Sequence, residues 1–66
     1  MKITVNGREM DATDGITVHA LLESLGVVPA TMVVQQNDAI VERKHYESAT
    51  VAEGDVLELI RMVGGG

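Results

Sequence analysis

Apolar and polar residues alternate at the start of the chain. Ile3 and Val5 alternate with polar neighbours, and Met10 and Ala12 do so again after the Asn6-Gly7 pair. Strict alternation is typical of strands that are buried on one face. Asn-Gly is a favoured two-residue turn because it accepts positive φ at both positions. This opening segment therefore predicts a β-hairpin.

A helical repeat follows the hairpin. Thr17 suits the N-cap position, and Gly26 suits the left-handed position after the last turn. Pro29 prevents the helix from resuming. The pattern predicts a short helix with one apolar stripe, which needs a sheet to cover. The stripe consists of residues spaced at i, i+3, i+4 and i+7, namely Val18, Leu21, Leu22 and Leu25.

Three more strand signals occupy the second half of the chain, at residues 32–36, 39–41 and 56–62. The polar segment 43–48 predicts an irregular or 3₁₀ turn. The order of elements predicts an α+β domain in which a mixed sheet of four to five strands packs on one helix. If the last strand lies parallel beside the first, the helix can cover one face of the sheet. The pattern alone does not fix the strand order.

Composition narrows the classes of function. The 66 residues carry a formal net charge of −5, which is the wrong sign for binding the phosphate backbone of a nucleic acid. Tyr46 is the only aromatic residue, so there is little to stack on bases. Without cysteine, disulfides and thiolate metal sites are excluded. No apolar run approaches the ~20 residues of a membrane span, and the N-terminus has no secretory signal pattern. We expect a cytoplasmic protein that binds no nucleic acid, membrane or metal.

Few side chains suggest chemistry. His19 and His45 have no nucleophile or paired carboxylate placed to work with them, and Arg43-Lys44 is interpreted as a solvated basic pair. Tyr46 is interpreted as an anchor with a packed ring and a hydroxyl bonded to the backbone. The sequence shows no phosphate-binding loop. It therefore predicts no catalytic residues and no cofactor bound by this chain.

The terminal Gly64-Gly65-Gly66 is the most informative feature. We interpret residues 63–66 as a flexible tail that follows a domain of residues 1–62. Four extended residues reach about 13 Å, and glycine lets the backbone enter a narrow channel. The Gly66 carboxylate is a poor electrophile until adenylation supplies a leaving group. The alternative is a frayed end without chemistry.

The whole chain resembles the ThiS family, the bacterial sulfur carriers of thiamin biosynthesis, which have the ubiquitin-like β-grasp fold. The resemblance implies that the Gly66 carboxylate is adenylated and then converted to a thiocarboxylate, with Gly64 and Gly65 in the tail. It rests on the order and spacing of residues 1–7 (MKITVNG), 17–22 (TVHALL), 37–43 (NDAIVER), 53–55 (EGD) and 62–66 (MVGGG).

The same resemblance implies the partners. They are a ThiF-type adenylyltransferase that uses ATP, a sulfur donor protein, and a thiazole synthase that receives the sulfur. The chain would be a protein co-substrate and not an enzyme. Two alternatives stay open: a sulfur carrier for molybdopterin or another pathway, and a ubiquitin-like interaction module whose tail has no chemistry.

The last predicted strand divides the two faces of the sheet. Leu57 and Leu59 share one side, and we expect them to meet the apolar stripe of the helix. The residues on the opposite side lie on the face from which the tail departs. Ubiquitin-like proteins bind partners with the equivalent face. We therefore predict that partners bind a surface, here called the open face, that consists of Val33, Gln35, Glu58, Ile60 and Met62.

Overall fold

The computed structural model, which describes residues 1–62, begins with the predicted hairpin. Strands β1 (Lys2–Val5) and β2 (Arg8–Asp11) pair antiparallel. The turn between them places Asn6 at φ 51° and Gly7 at φ 82°. These two positive angles are the reason for the Asn-Gly sequence, since most side chains resist that conformation.

The helix α1 (Val18–Ser24) is capped at both ends. At its start the Ala20 N–H donates to Thr17 Oγ1 over 3.1 Å. At its end Gly26 has a φ of 78°, which lets the Val27 N–H donate back to the Leu22 carbonyl over 3.2 Å. The helix therefore begins and ends where the sequence predicted.

Leu25 corrects one expectation. It was predicted to complete the apolar stripe against the sheet, but it is the C-cap residue and 36% of it is exposed. The chain reverses at Gly26 directly after it, so the last position of the repeat lies beyond the part of the helix that covers the core.

The second half of the chain adds three strands. They are β3 (Met32–Gln36), β4 (Ala39–Val41) and β5 (Val56–Arg61). The 3₁₀ turn Arg43–His45 confirms the prediction for the polar segment. A second 3₁₀ turn, Pro29–Thr31, was not predicted.

The sheet has the order β2-β1-β5-β3-β4, with β5 at its centre. β5 runs parallel to β1 and antiparallel to β3. The predicted fold class is confirmed: one helix packs on a five-stranded mixed sheet, which is the ubiquitin-like β-grasp arrangement. The core between the layers consists of Ile3, Val18, Leu21, Leu22, Met32, Val34, Tyr46, Val51 and Leu57.

Tyr46 anchors its loop to the core, as predicted. It is buried, and its hydroxyl donates to the Met32 carbonyl oxygen over 2.8 Å.

Within residues 1–62, no helix is long and apolar enough to cross a membrane. The predicted tail, residues 63–66, lies outside the described residues.

Candidate functional site

The central strand β5 separates core side chains from surface side chains by alternation. Leu57 is completely buried and Leu59 packs against the core. In contrast, 51% of Ile60 and 46% of Met62 are exposed. Because successive strand residues point to opposite faces, this pattern places Ile60 on the side of the sheet away from the helix.

The open face comes together through the β3–β5 ladder. Val33 lies opposite Ile60, and Gln35 lies opposite Glu58. Val33 and Gln35 are half-buried, whereas the three β5-side residues, including Met62, are exposed. The structure thus brings the five predicted residues onto one surface. Their role in binding partners stays a prediction.

One apolar neighbour of the open face was missed. Ile40 of β4 lies opposite Gln35 and is 58% exposed. Val56 at the start of β5 is exposed as well, on the side of the strand that alternation predicts for it. The signal for Ile40 was present in the chain. A two-residue turn fixes the register of the two strands that it joins, so directly opposed residues lie on the same face of the sheet. Ile40 therefore had to share the face of Gln35.

Hydrogen bonds on the β3 side of β5 continue up to Met62, the residue before the tail. The Met62 N–H donates to the Thr31 carbonyl over 2.8 Å. The Arg43 guanidinium lies 3.7 Å from the Met62 sulfur, measured from Nη2 to Sδ. Arg43 is exposed, as predicted for the basic pair, and it also lies at the base of the tail. The predicted attachment residue Gly66, with Gly64 and Gly65, is outside the described residues.

Asp55 organises the opposite end of β5. Its carboxylate accepts hydrogen bonds from Gln36 Nε2 at 2.8 Å, from Asn37 Nδ2 at 2.9 Å and from the Ala52 N–H at 2.8 Å. Partial burial by itself raises the pKa of this carboxyl group, but the three hydrogen bonds outweigh it and hold the pKa below its ordinary value of 3.8. Asp55 therefore joins the β3–β4 turn to the loop before β5.

The histidines form no reactive cluster. His19 Nε2 lies 3.4 Å from a Glu23 carboxylate oxygen, and His45 Nε2 lies 3.8 Å from one of Glu42. Within residues 1–62 no group of three or more His, Cys, Asp or Glu side chains is arranged to hold a metal ion.

Known proteins resemble the chain over its whole length. The model of the ThiS family matches residues 3–66. Sulfur carrier protein ThiS of Escherichia coli is 35% identical over 66 residues, which is 100% of both chains. The crystal structure of the thiamine biosynthesis protein ThiS from Geobacter metallireducens has a TM-score of 0.83 and 35% identity, and the match covers 100% of both chains.

A longer protein also contains a similar segment. The thiazole synthase of Paramagnetospirillum magneticum is 39% identical over 66 residues, which is 100% of this chain but only 20% of that protein. The chain thus spans about a fifth of the length of this relative.

Proposed function

The chain belongs to the ThiS family of sulfur carrier proteins, and on that premise we propose that its Gly66 carboxylate carries sulfur as a thiocarboxylate for thiazole formation in thiamin biosynthesis. In this role the chain is a co-substrate that is consumed and regenerated. Its own residues dock and present the reacting group.

The observation that carries the proposal is the position of the glycines. Gly64-Gly65-Gly66 follows the central strand after two intervening residues, Met62 and Val63. Met62, which directly follows the strand, donates its N–H to the Thr31 carbonyl at the end of the sheet. A catalytic centre that binds the sheet can therefore receive a chain end that starts from a defined position, Met62. When residues 63–66 are extended, they span about 13 Å from there to Gly66.

The chemistry starts from a carboxylate that needs a leaving group. A carboxylate oxygen of Gly66 attacks the α-phosphorus of ATP, and pyrophosphate leaves. A hydrosulfide ion supplied by the sulfur donor then attacks the acyl carbon of the adenylate, AMP leaves, and loss of a proton gives the thiocarboxylate. The adenylation belongs to a ThiF-type adenylyltransferase, which supplies the ATP site, and the sulfur comes from a donor protein.

The proposed acceptor is a thiazole synthase. The likeness to a segment of a protein of that name supports this choice, because a carrier-like segment and a thiazole synthase that share one polypeptide would be held together for sulfur transfer. Both partners would bind the open face. Its central Val33–Ile60 pair supplies apolar contact, and Met62 adds an adaptable side chain at the base of the tail.

A reconstituted activation assay tests the proposal. The purified chain is mixed with a ThiF-type adenylyltransferase, ATP and labelled pyrophosphate, and exchange of label into ATP is measured. We expect exchange that depends on the chain. The matched control lacks only Gly66 and should support none. If the full chain supports no exchange with an enzyme that activates the Escherichia coli carrier, the proposed function is wrong.

A further inference from the structure

The backbone of β5 uses alternate residues to bond its two neighbours. On the β3 side, the Met62 N–H donates to the Thr31 carbonyl over 2.8 Å, and the Asn37 N–H donates to the Val56 carbonyl over 2.8 Å. These bonds mark the two ends of one antiparallel ladder. The backbone N–H and carbonyl groups of successive strand residues point to opposite sides within the plane of the sheet. Those of the even-numbered residues of β5 therefore bond to β3, and those of the odd-numbered residues point towards β1.

On the β1 side the ladder ends early. The Asn6 N–H donates to the Leu57 carbonyl over 2.9 Å, and Val5 is the last β1 residue paired with β5. The chain then turns away at Gly7. The Asn6 side chain extends the contact by one step, since the Leu59 N–H donates to Asn6 Oδ1 over 2.8 Å and Asn6 Nδ2 donates to the Leu59 carbonyl over 3.4 Å.

Arg61 is the next residue whose backbone points to that side. Within residues 1–62 its N–H and carbonyl have no partner there, because β1 pairs β5 only as far as Leu57. The other side of the strand stays bonded to β3 through Met62. The side of β5 at Arg61, here called the open edge, is therefore a strand edge. The opposite side of the strand is bonded to β3, and one residue, Met62, separates Arg61 from the tail.

We propose that the open edge at Arg61 binds an extended strand of the adenylating enzyme through main-chain hydrogen bonds. This inference rests on the proposed function. A protein segment that guides Gly66 to a catalytic centre has to run beside residues 61–66. Three of those residues are glycines without side chains, so the main chain is the feature left to recognise.

The charges favour an enzyme over a second copy of this chain. An antiparallel pairing of two copies at the open edge would place Arg61 near its own counterpart, and like charges close together on neighbouring strands are destabilising. The net charge of −5 adds repulsion between copies. The contact between like charges at Arg61 is specific to a pairing of two copies, because an enzyme strand need not carry a cation at that position.

Proline at position 61 tests the hydrogen bond directly. Arg61→Pro removes the outward N–H, which the fold does not use, whereas Arg61→Ala removes only the side chain. We expect Arg61→Pro to raise the KM for the chain in adenylation about tenfold above that of Arg61→Ala, because one bond to the enzyme is lost. Equal KM values for the two folded variants would overturn the proposal.

Amide hydrogen exchange of the unaltered chain keeps the test valid if the proline variant fails to fold. The Arg61 amide should exchange rapidly in the free chain and about tenfold or more slowly in the complex with the adenylyltransferase. The Ile60 amide, which faces β3, is the internal reference. An Arg61 amide that is equally exposed in a formed complex contradicts the inference, as does protection that requires only a higher concentration of the chain.

The two proposals fail in different ways. If the proposed function is wrong, the unaltered chain is not adenylated at all. If only the strand pairing is wrong, the unaltered chain is adenylated, and Arg61→Pro and Arg61→Ala have the same KM.

Discussion

Val33 and Ile60 lie directly opposite each other in the antiparallel β3–β5 ladder, on the side of the sheet away from the helix. Directly opposed residues of neighbouring strands are close enough for their side chains to contact. The pair forms the apolar centre of the open face, on the strand that leads into the glycine tail. This relationship links the fold to the proposed docking of successive enzymes.

Replacement of Ile60 tests that docking surface. Ile60 is 51% exposed, so Ile60→Glu should change the free energy of unfolding by no more than about 0.5 kcal/mol. The added carboxylate would be desolvated in a complex. We therefore expect weaker binding to both the adenylyltransferase and the thiazole synthase, measured by titration calorimetry. Unchanged affinity for both enzymes would show that the open face is not the docking surface.

Leu59→Glu is the matched control, since it places the same side chain one residue earlier on the opposite face. Leu59 packs against the core, so the buried carboxylate should cost about 2 kcal/mol or more. That is a large share of the roughly 3–10 kcal/mol that holds a domain of this size. Urea denaturation should show this variant largely unfolded or strongly destabilised.

Alteration of Gly66 should separate activation from folding. Gly66→Ala adds a Cβ that we expect to collide with the wall of the enzyme channel, and a similar effect is expected at Gly65. Adenylation should be abolished, while the free energy of unfolding stays within about 0.5 kcal/mol, because the core is formed by residues 3–57. Adenylation of Gly66→Ala at the normal rate would contradict the steric account.

Stability should depend on pH through Asp55. Its pKa is held below 3.8 in the folded chain, so its stabilising contribution is complete above the unfolded value. The contribution is lost as the pH falls through the lowered folded pKa. We expect the stability difference between the unaltered chain and Asp55→Asn to shrink below about pH 3.8.

A variant at an exposed carboxylate provides the comparison for Asp55. Glu47→Gln removes one negative charge without touching the three hydrogen bonds of Asp55. Its stability relative to the unaltered chain should not follow the Asp55 profile. If Asp55→Asn differs from the unaltered chain by a constant amount across the acid range, the hydrogen bonds do not hold the pKa down.

Tyr46→Phe measures the anchor beside the helix. Loss of the hydroxyl leaves the buried Met32 carbonyl without this donor, and we expect a loss of about 1–2 kcal/mol in urea denaturation. Ser48→Ala removes an exposed hydroxyl from the same segment and should cost less than about 0.5 kcal/mol. Equal effects of the two variants would mean that the Tyr46 hydrogen bond adds little.

Local signals made much of the fold predictable. The Asn6-Gly7 and Asn37-Asp38 turns are occupied by residues that accept positive φ, and each joins two strands. The N-cap Thr17 and the left-handed Gly26 set the ends of the helix in the same way. In each case the information lies within a few neighbouring residues.

Long-range packing accounts for what the sequence did not reveal. The parallel pairing of Val5 with Leu57 joins the two halves of the chain, and no local pattern encodes it. Val51 is a core residue without periodic neighbours. Its N–H donates to the carbonyl of Ile16 over 2.9 Å, which ties it to the segment just before the helix. The open edge at Arg61 likewise became visible only once the strand order was known.

The central claim is that Gly66 carries sulfur, and intact-mass analysis tests it most directly. The chain is isolated from cells in which thiamin synthesis is active, and in parallel it is incubated with the adenylyltransferase, ATP and a sulfur donor. We predict a species in which one oxygen of the terminal carboxylate is replaced by sulfur, and its absence from the chain that lacks Gly66. If only the carboxylate is found in both settings, the chain is not a sulfur carrier.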